Sequence, residues 1–168
     1  MSDRPIGCIL SGGLDSTLVT AIVCKYYEPY TMNTFTIGLE GSVDLKYAKI
    51  ASEYLKTNHH EFIITEEEFL GSIDETIKQI ESYCTTSVRA SVGNYLISKY
   101  ISRKVKDKVI FCGDVSDEIF GSYRGFTSTT DKEAFFKENV KMIENINYFD
   151  VLRSDKSISA AGLEARVP

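Results

Sequence analysis

The stretch Ile6-Gly7-Cys8-Ile9-Leu10-Ser11-Gly12-Gly13-Leu14-Asp15-Ser16 decides the fold. Its short apolar run stops at the paired glycines, and Leu14, Leu18 and Ile22 then recur every four residues. This order predicts a strand over 6–10, a tight loop, and a helix from residue 14. Paired glycines let a backbone approach an anion closely, and a helix start points free N–H groups at it. The loop is therefore a predicted phosphate cradle, with a plain glycine turn that caps a helix as the alternative.

An acid inside this loop points to a bound cation. The Walker A spacing and its lysine are absent, and so is the G-x-G-x-x-G pattern of dinucleotide-binding loops. Asp15 would repel bare phosphate. Its presence favours Mg²⁺ held between the carboxylate and phosphate oxygens.

Strands and helices alternate along the rest of the chain. We expect strands over 33–39, 60–64 and 109–112, and helices over 44–55, from Thr65 toward 83, and over 92–105, 116–120 and 132–146. Such alternation predicts an α/β fold, a mainly parallel sheet with helices on both faces. Ligands of these sheets bind beyond the carboxyl ends of the strands, so the loops after these ends are where a site is expected.

The composition is that of one soluble domain. The chain has 168 residues, 43% hydrophobic and 26% charged, and 24 acidic against 19 basic side chains give a net charge of −5. No apolar run approaches the ~20 residues of a membrane span, no signal-peptide pattern precedes the first strand, and no basic stripe indicates nucleic-acid binding. We expect a cytoplasmic protein with neither nucleic-acid nor membrane partners. Its four scattered cysteines are expected to be reduced and structural.

A second acidic loop follows the predicted strand over 109–112. Asp114, Asp117 and Glu118 place three carboxylates within five residues there. Such crowding is costly unless a cation or a polar ligand compensates the charge. Taken alone, however, the segment is better explained as an exposed acidic helix start with Ser116 as its N-cap.

Seven motifs carry a family resemblance that covers residues 6–168. They are Ser11-Gly12-Gly13-Leu14-Asp15-Ser16, Phe35-Thr36-Ile37-Gly38-Leu39, Gly41-Ser42-Val43-Asp44-Leu45-Lys46, His59-His60-Glu61, Ser87-Val88-Arg89-Ala90-Ser91, Ser116-Asp117-Glu118-Ile119-Phe120-Gly121-Ser122-Tyr123 and Glu164-Ala165-Arg166-Val167-Pro168. The first matches the PP-loop of the ATP pyrophosphatase superfamily. The ordered set resembles the C-terminal synthetase domain of glutamine-dependent asparagine synthetases. It implies a Rossmann-like PP-loop fold of the adenine nucleotide alpha hydrolase type, with residues 1–168 as one synthetase domain.

The resemblance also implies roles for individual residues. The implied ATP- and pyrophosphate-binding positions are Leu10, Ser11, Gly12, Gly13, Leu14, Asp15, Ser16, Ile37, Cys112 and Gly113. Asp15 and Asp117 match the metal-associated carboxylates, and Thr86, Ser87 and Arg89 match a segment beside the reacting phosphates and aspartate. Asp114 matches a family glutamate linked to forming the intermediate and handling the ammonia proton. Together with Arg89 and Lys141 it makes up the implied catalytic set.

The implied reaction is asparagine synthesis with ATP as substrate and Mg²⁺ as cofactor. The side-chain carboxylate of aspartate attacks the α-phosphorus of ATP, pyrophosphate leaves, and ammonia displaces AMP from β-aspartyl-AMP. Aspartate, ATP and ammonia are the implied ligands, and a separate glutaminase domain or a homodimer partner is a further candidate. Two other functions stay open: a catalytically impaired nucleotide-binding remnant or subunit, and a β-lactam-synthetase-like amide-forming relative.

The chain departs from the family pattern in four places, one of which is Ala161, where a tryptophan is common. No glutaminase domain with its N-terminal cysteine precedes the first strand, so ammonia is the expected nitrogen donor. The family continues beyond the position of Pro168 with a further active-site lysine, so we expect a domain truncated at its C-terminus. Asp114-Val115 replaces a Glu-Gly pair of the family, which shortens the acid and stiffens the loop.

Overall fold

The computed structural model describes residues 3–28, 30–125, 131–148 and 151–168. In these residues the strands are β1 (Ile6–Ile9), β2 (Asn33–Leu39), β3 (Asn58–Ile64), β4 (Val109–Phe111) and β5 (Glu164–Arg166). They form one sheet in the order β3-β2-β1-β4-β5, and every neighbouring pair is parallel. The chain builds outward from β1 to β3 and then returns to place β4 on the other side of β1. The switch in strand order therefore falls between β1 and β4.

Helices cover both faces of this sheet. In the described part of the chain they are α1 (Leu14–Tyr27), α2 (Val43–Leu55), α3 (Glu66–Gly71), α4 (Ile73–Ile80), α5 (Thr85–Lys104), α6 (Ser116–Phe120), α7 (Lys132–Glu144) and α8 (Val151–Ser159), with a 3-10 turn over Ile146–Tyr148. Right-handed crossovers put α1 and α2 on one face and α3 to α5 on the other. Accordingly, α1 contacts α2, while α5 packs on β2 and α8 packs on α5. The predicted α/β fold, a parallel sheet with helices on both faces, is confirmed.

The main hydrophobic core lies between the sheet and the layer formed by α5 and α8. Phe35 and Ile110 contribute from the sheet, and Ile97, Ile101 and Ile158 contribute from the helices; all five are almost completely buried. Burial of each such side chain stabilises the fold by about 1.5–3 kcal/mol. This core fixes the position of α8 against α5 and the sheet.

The face of α1 that is buried is not the apolar face from which the helix was predicted. The residues of α1 that are buried are Ser16 and Thr20, and the Thr20 hydroxyl donates to the Ser16 carbonyl at 2.7 Å. The apolar series faces outward instead, with Leu14 83%, Leu18 43% and Ile22 50% exposed. The helix itself is as expected, but its apolar period marks an exposed stripe and not the face that packs on the sheet.

Other elements differ from the sequence-based expectation. The helix predicted from Thr65 is two helices, because the Ser72 hydroxyl donates to the Phe69 carbonyl at 2.7 Å and competes with the helical backbone. Thr65 caps α3 as predicted, in a reciprocal capping box with Glu68. Helix α5 begins at Thr85 and not near residue 92, which brings Thr86, Ser87 and Arg89 onto its first turns. Helix α8 and the strand β5 were not predicted, because α8 has only three apolar residues among nine and β5 is only three residues long.

The cysteines of the chain are free. Cys8 and Cys112 are buried at the sheet, where desolvation raises the pKa of each thiol to about 12. Cys84 differs because it is exposed at the start of α5. None of the described helices is both long enough and apolar enough to span a bilayer.

Candidate functional site

The loop after β1 has a defined shape that its serines hold. The Ser11 amide donates to the Ser16 hydroxyl at 3.2 Å, and the two hydroxyls lie 2.9 Å apart. Gly12 adopts φ +79°, and a Cβ there would overlap the backbone of Tyr47 and Ala48 in α2. A loop that wraps the start of α1 and leaves no room for a side chain at its tip is what a phosphate cradle requires.

The acidic loop after β4 lies directly against this first loop. A Cβ on Gly113 would come within 2.8 Å of the Ser16 nitrogen, so the two loops touch through backbone alone. The N-cap of α6 is Val115 and not Ser116, and Val115 is buried at φ +78°. This left-handed conformation strains a β-branched residue, so the packing around Val115 must hold it there.

A cavity of about 360 Å³ opens between the two loops, at the carboxyl ends of β1 and β4. It sits at the switch in strand order, where ligands of open α/β sheets bind. Of the residues expected at the site, the cavity wall brings together Ser11, Asp15, Ser16, Cys112, Gly113, Asp114 and Asp117. Residues separated by about a hundred positions in the chain thus share one wall.

Two carboxylates of this cavity, Asp15 and Asp117, lie close enough to repel each other. The pKa of Asp15 is raised, first by burial and then by repulsion from the Asp117 carboxylate. Asp117 accepts a hydrogen bond from the Ser122 hydroxyl. No group of three metal-ligating side chains occurs among the described residues. A pair of carboxylates is nevertheless enough for Mg²⁺, which usually takes its other ligands from phosphates and water.

Asp114 is tied to both helices of the core layer. Its Oδ2 accepts from Asn94 Nδ2 of α5 at 3.2 Å and also from the hydroxyl of Ser154 of α8. Ser154 is only 1% exposed, so this contact lies inside the fold. The packing of α5 and α8 therefore sets the position of the Asp114 carboxylate.

A second cavity of about 400 Å³ lies at the start of α5. Thr86 and Ser87 line it, together with Cys84, Met142, Ile146 and Tyr148. Hydrogen bonds from the backbone and side chain of Ser87 and from Thr86 lower the pKa of the Cys84 thiol. The cavity thus combines hydroxyls at a helix start, where negative charge is favoured, with an apolar wall from the segment around α7.

Three residues line both cavities: Glu118, Tyr123 and Arg153. Glu118 is 3% exposed and accepts a hydrogen bond from the Tyr123 hydroxyl. Its backbone carbonyl accepts from Asn139 Nδ2 of α7 at 2.6 Å. These three residues therefore form a wall that is common to the two cavities.

The remaining expected residues do not line either of these two cavities. Leu10 is fully buried beneath the loop, Gly12 and Gly13 shape it, Leu14 points outward, and Ile37 is partly buried in the core. Arg89 is exposed on α5. Lys141 is exposed on α7, and its Nζ lies 3.7 Å from Oε1 of Glu138.

Sequence reasoning missed several lining residues, and four of them are polar side chains of the first cavity. Asn94 and Ser154 hold Asp114, and Tyr123 and Arg153 belong to the shared wall. Tyr123 ends the motif over 116–123, so its sequence position already indicated that it lies beside the acidic loop. Arg153 and Ser154 gave none, because nothing in the local pattern links α8 to a loop forty residues earlier.

The sequence profile of the asparagine synthase family matches residues 1–141 of the chain. The chain belongs to this family. The glutamine-hydrolyzing asparagine synthetase of Rattus norvegicus is 45% identical to it over 172 residues, and that of Homo sapiens is 43% identical. These alignments cover 100% of the chain and 31% of each relative. This member of the asparagine synthase family therefore spans about a third of the length of its curated relatives.

A solved structure supports the fold independently. A protein from Methanocaldococcus jannaschii, described as a predicted subunit of tRNA methyltransferase, matches with a TM-score of 0.52 and 14% sequence identity. The match covers 98% of this chain and 67% of that one. At this identity the likeness speaks for the α/β fold alone.

Proposed function

We propose that this chain is the ATP-binding synthetase part of an asparagine synthetase, which activates aspartate as β-aspartyl-AMP and transfers it to ammonia. The observation that carries the proposal is the pair of adjoining cavities with a common wall of Glu118, Tyr123 and Arg153. Two substrates that react with each other need neighbouring sites that meet at the reacting atoms. Family membership supports ATP and aspartate as the two substrates.

ATP would occupy the first cavity. Ser11, Ser16 and the start of α1 would hold its β- and γ-phosphates, and Gly113 would allow close approach of the acidic loop. Asp15 and Asp117 fit Mg²⁺, because their mutual repulsion is relieved by a divalent cation. When bound there, the ion would neutralise charge on the departing pyrophosphate.

Aspartate would occupy the second cavity, where Thr86 and Ser87 offer hydroxyl donors at the start of α5. Its side-chain carboxylate oxygen forms a bond to the α-phosphorus while the bond from that phosphorus to the bridging oxygen breaks, and pyrophosphate leaves with the electron pair. This step converts a poor electrophile into a mixed anhydride. The residues of this chain contribute by holding the two reactants in line.

Ammonia then forms a bond to the activated carbonyl carbon, and the bond to the AMP oxygen breaks. The nitrogen loses a proton in this step, and we assign its acceptance to Asp114, the acid that α5 and α8 hold on the wall of the first cavity. In the longer relatives, whose names include glutamine hydrolysis, a glutaminase domain is the proposed source of ammonia.

The test is aspartate-dependent exchange of labelled pyrophosphate into ATP. We expect exchange by the intact chain and its loss in Asp15→Asn. Asp44→Asn is the matched control, since Asp44 also lies in the first turn of a helix but outside both cavities. Exchange that persists in Asp15→Asn would contradict the assigned site.

A nucleotide-binding remnant without chemistry is the second candidate. The strained Val115 and the tethered Asp114 favour it, because both restrain the acid that the reaction needs. This candidate predicts ATP binding by calorimetry together with no exchange for aspartate. Release of AMP with a different carboxylate, but not with aspartate, would instead indicate another amide-forming reaction.

A further inference from the structure

A third cavity, of about 490 Å³, lies at the end of the sheet away from the two cavities described above. Its lining residues come from the end of α2 and the start of β3, and they are Lys49, Ser52, Glu53, Lys56, Thr57, His59 and Glu61. None of them lines either of the other two cavities. Because the strands are parallel, the start of β3 is remote from the carboxyl ends at which the first cavity opens. An inference about the third cavity therefore does not depend on the proposed function.

One wall of the third cavity carries a buried polar atom that lacks a partner. The side chain of His59 is only 10% exposed, and its Nε2 has no hydrogen-bond partner among the described residues. Oε1 of Glu61 lies 3.9 Å from this nitrogen, which is too far for a hydrogen bond. An unpaired buried polar atom is destabilising, so its presence on the wall of a cavity points to a bound group that supplies the partner.

The other ring nitrogen of His59 determines what Nε2 can bind. Nδ1 lies 2.9 Å from Oγ1 of Thr34, and that hydroxyl also lies 2.8 Å from Oγ1 of Thr57. Burial lowers the pKa of His59, which favours the neutral imidazole. Since a hydroxyl can donate or accept, the neutral ring presents either a lone pair or an N–H at Nε2. A side-chain amide fits both cases, because it carries a donor and an acceptor at one end.

Charges of both signs line the third cavity without neutralising each other. Lys49, Glu53 and Lys56 are spaced by four and three residues, a spacing at which opposite charges on a helix usually pair. None of the three forms an ion pair with a described residue. Beside the larger effect of burial, Glu61 raises the pKa of His59 and Lys49 lowers it. The cavity therefore offers ammonium groups to a carboxylate and carboxylates to an ammonium group.

Lys56 occupies a backbone position that favours glycine. It ends α2 with φ +55° and ψ +41°, in the left-handed region where glycine is the usual helix cap. The Cβ of any other residue is unfavourable in this conformation. A lysine at this position thus lowers stability relative to glycine, while it adds an ammonium group to the wall of the third cavity.

We propose that the third cavity binds a free α-amino acid whose side chain ends in an amide. Lys49 and Lys56 bind its carboxylate, and Glu53 and Glu61 bind its ammonium group. The side-chain amide supplies the hydrogen-bond partner that Nε2 of His59 lacks. A simple anion would be repelled by the two glutamates and a simple cation by the two lysines, so a zwitterion is the class of ligand that satisfies both pairs.

Calorimetry on the full chain tests this site, with L-glutamine and L-asparagine as probes. We expect at least one of them to bind with a Kd of about 1 mM or below, which is attainable for a ligand of about ten non-hydrogen atoms. Free L-alanine lacks the amide, and N-acetyl-L-glutamine lacks the ammonium charge, so each should bind roughly 10-fold more weakly. The proposal is overturned if neither probe binds, or if L-alanine binds as tightly as the amides.

Lys56→Gly distinguishes a ligand contact from a structural role. The substitution removes the ammonium group and relieves the left-handed backbone, so binding of the probe should weaken roughly 10-fold while Tm rises by about 2–4 °C. Glu81→Gly is the matched control, because Glu81 ends α4 at φ +53° but lies outside the third cavity. It should show a similar rise in Tm with unchanged binding.

Equal binding of the probe by Lys56→Gly and the unmodified chain would overturn the assignment. A loss of binding in Thr86→Ala, with Lys56→Gly unaffected, would also overturn it, because the amino acid would then occupy the second cavity. Neither result bears on aspartate-dependent pyrophosphate exchange, which tests the proposed function separately.

Discussion

Replacing Gly12 with alanine should destabilise the fold for two reasons, the backbone conformation at this position and the lack of space for a Cβ. Gly12 has φ +79°, and its missing Cβ is where the backbone of Tyr47 and Ala48 passes. The left-handed conformation costs a non-glycine residue about 1–2 kcal/mol. Overpacking against backbone adds about 1–3 kcal/mol. We therefore expect Gly12→Ala to lower the free energy of unfolding by roughly 2–5 kcal/mol, a fall in Tm of roughly 4–20 °C for a chain of this size.

Two other glycines provide matched controls. Gly41 has φ +73° but nothing within 4 Å of its would-be Cβ, so Gly41→Ala should show only the conformational cost of about 1–2 kcal/mol. Gly93 lies inside α5 with open space beside it, and Gly93→Ala should gain about 0.5–1 kcal/mol. Urea denaturation followed by circular dichroism measures all three.

The difference between Gly12→Ala and Gly41→Ala is the decisive quantity. This difference in stability measures the contact of Gly12 with α2, because the two glycines have nearly the same φ. Equal losses in the two variants would refute the claim that this contact requires glycine. Gly12→Ala should also weaken Mg-ATP binding, since the loop must move to make room.

Three further predictions follow from single side chains. Val115 has φ +78°, so Val115→Gly should be about 1 kcal/mol more stable than Val115→Ala in urea, the reverse of the usual order; the usual order would show that the residue is unstrained. Hydrogen bonds from Lys99 hold the pKa of Glu75 below its ordinary 4.5, so Glu75→Gln should lose about 1 kcal/mol or less at neutral pH. Because the pKa of Glu75 is lower in the folded state than in the unfolded state, its contribution to stability is present above the ordinary pKa and is lost as the pH falls through the folded-state pKa. A stability difference between Glu75→Gln and the unmodified chain that stays constant down to about pH 3 would contradict this prediction. Cys84 should react with iodoacetamide ahead of the buried cysteines, because hydrogen bonds lower the pKa of its thiol. A non-hydrolysable analogue of β-aspartyl-AMP should slow this reaction, because Cys84 lines the second cavity; peptide mass mapping that shows equal labelling with and without the analogue would contradict the placement.

In α1 the apolar sequence pattern predicts the helix correctly but does not identify the face that packs on the sheet. The four-residue period of Leu14, Leu18 and Ile22 predicts a helix correctly, because side-chain spacing reports helical geometry wherever the helix lies. The same period gives the wrong inward face, since small hydroxyl residues allow α1 to approach the sheet closely. A periodic pattern therefore fixes the type of element more securely than its neighbours.

The order of the strands and loops along the chain predicted only some of the residues that line the cavities. Ser11, Asp15, Asp114 and Asp117 were expected together because parallel strands end at one edge of the sheet, and the first cavity unites them. Their assigned roles stay predictions. Arg89 and Lys141, proposed from motif position, lie on exposed helix surfaces outside the two cavities, because a short motif does not record which side of a helix faces inward.

The sequence by itself determined the alternation of strands and helices, the glycine loop, the acidic loop and the family to which they belong. Each is local, because turns, capping and periodicity depend on residues close together in the chain. Only the tertiary structure decided that α8 packs on α5 and brings Ser154 to Asp114 and Arg153 to the wall between two cavities. That arrangement depends on burial of Ile158 and Leu163 against the sheet, a long-range packing term that no window of sequence contains.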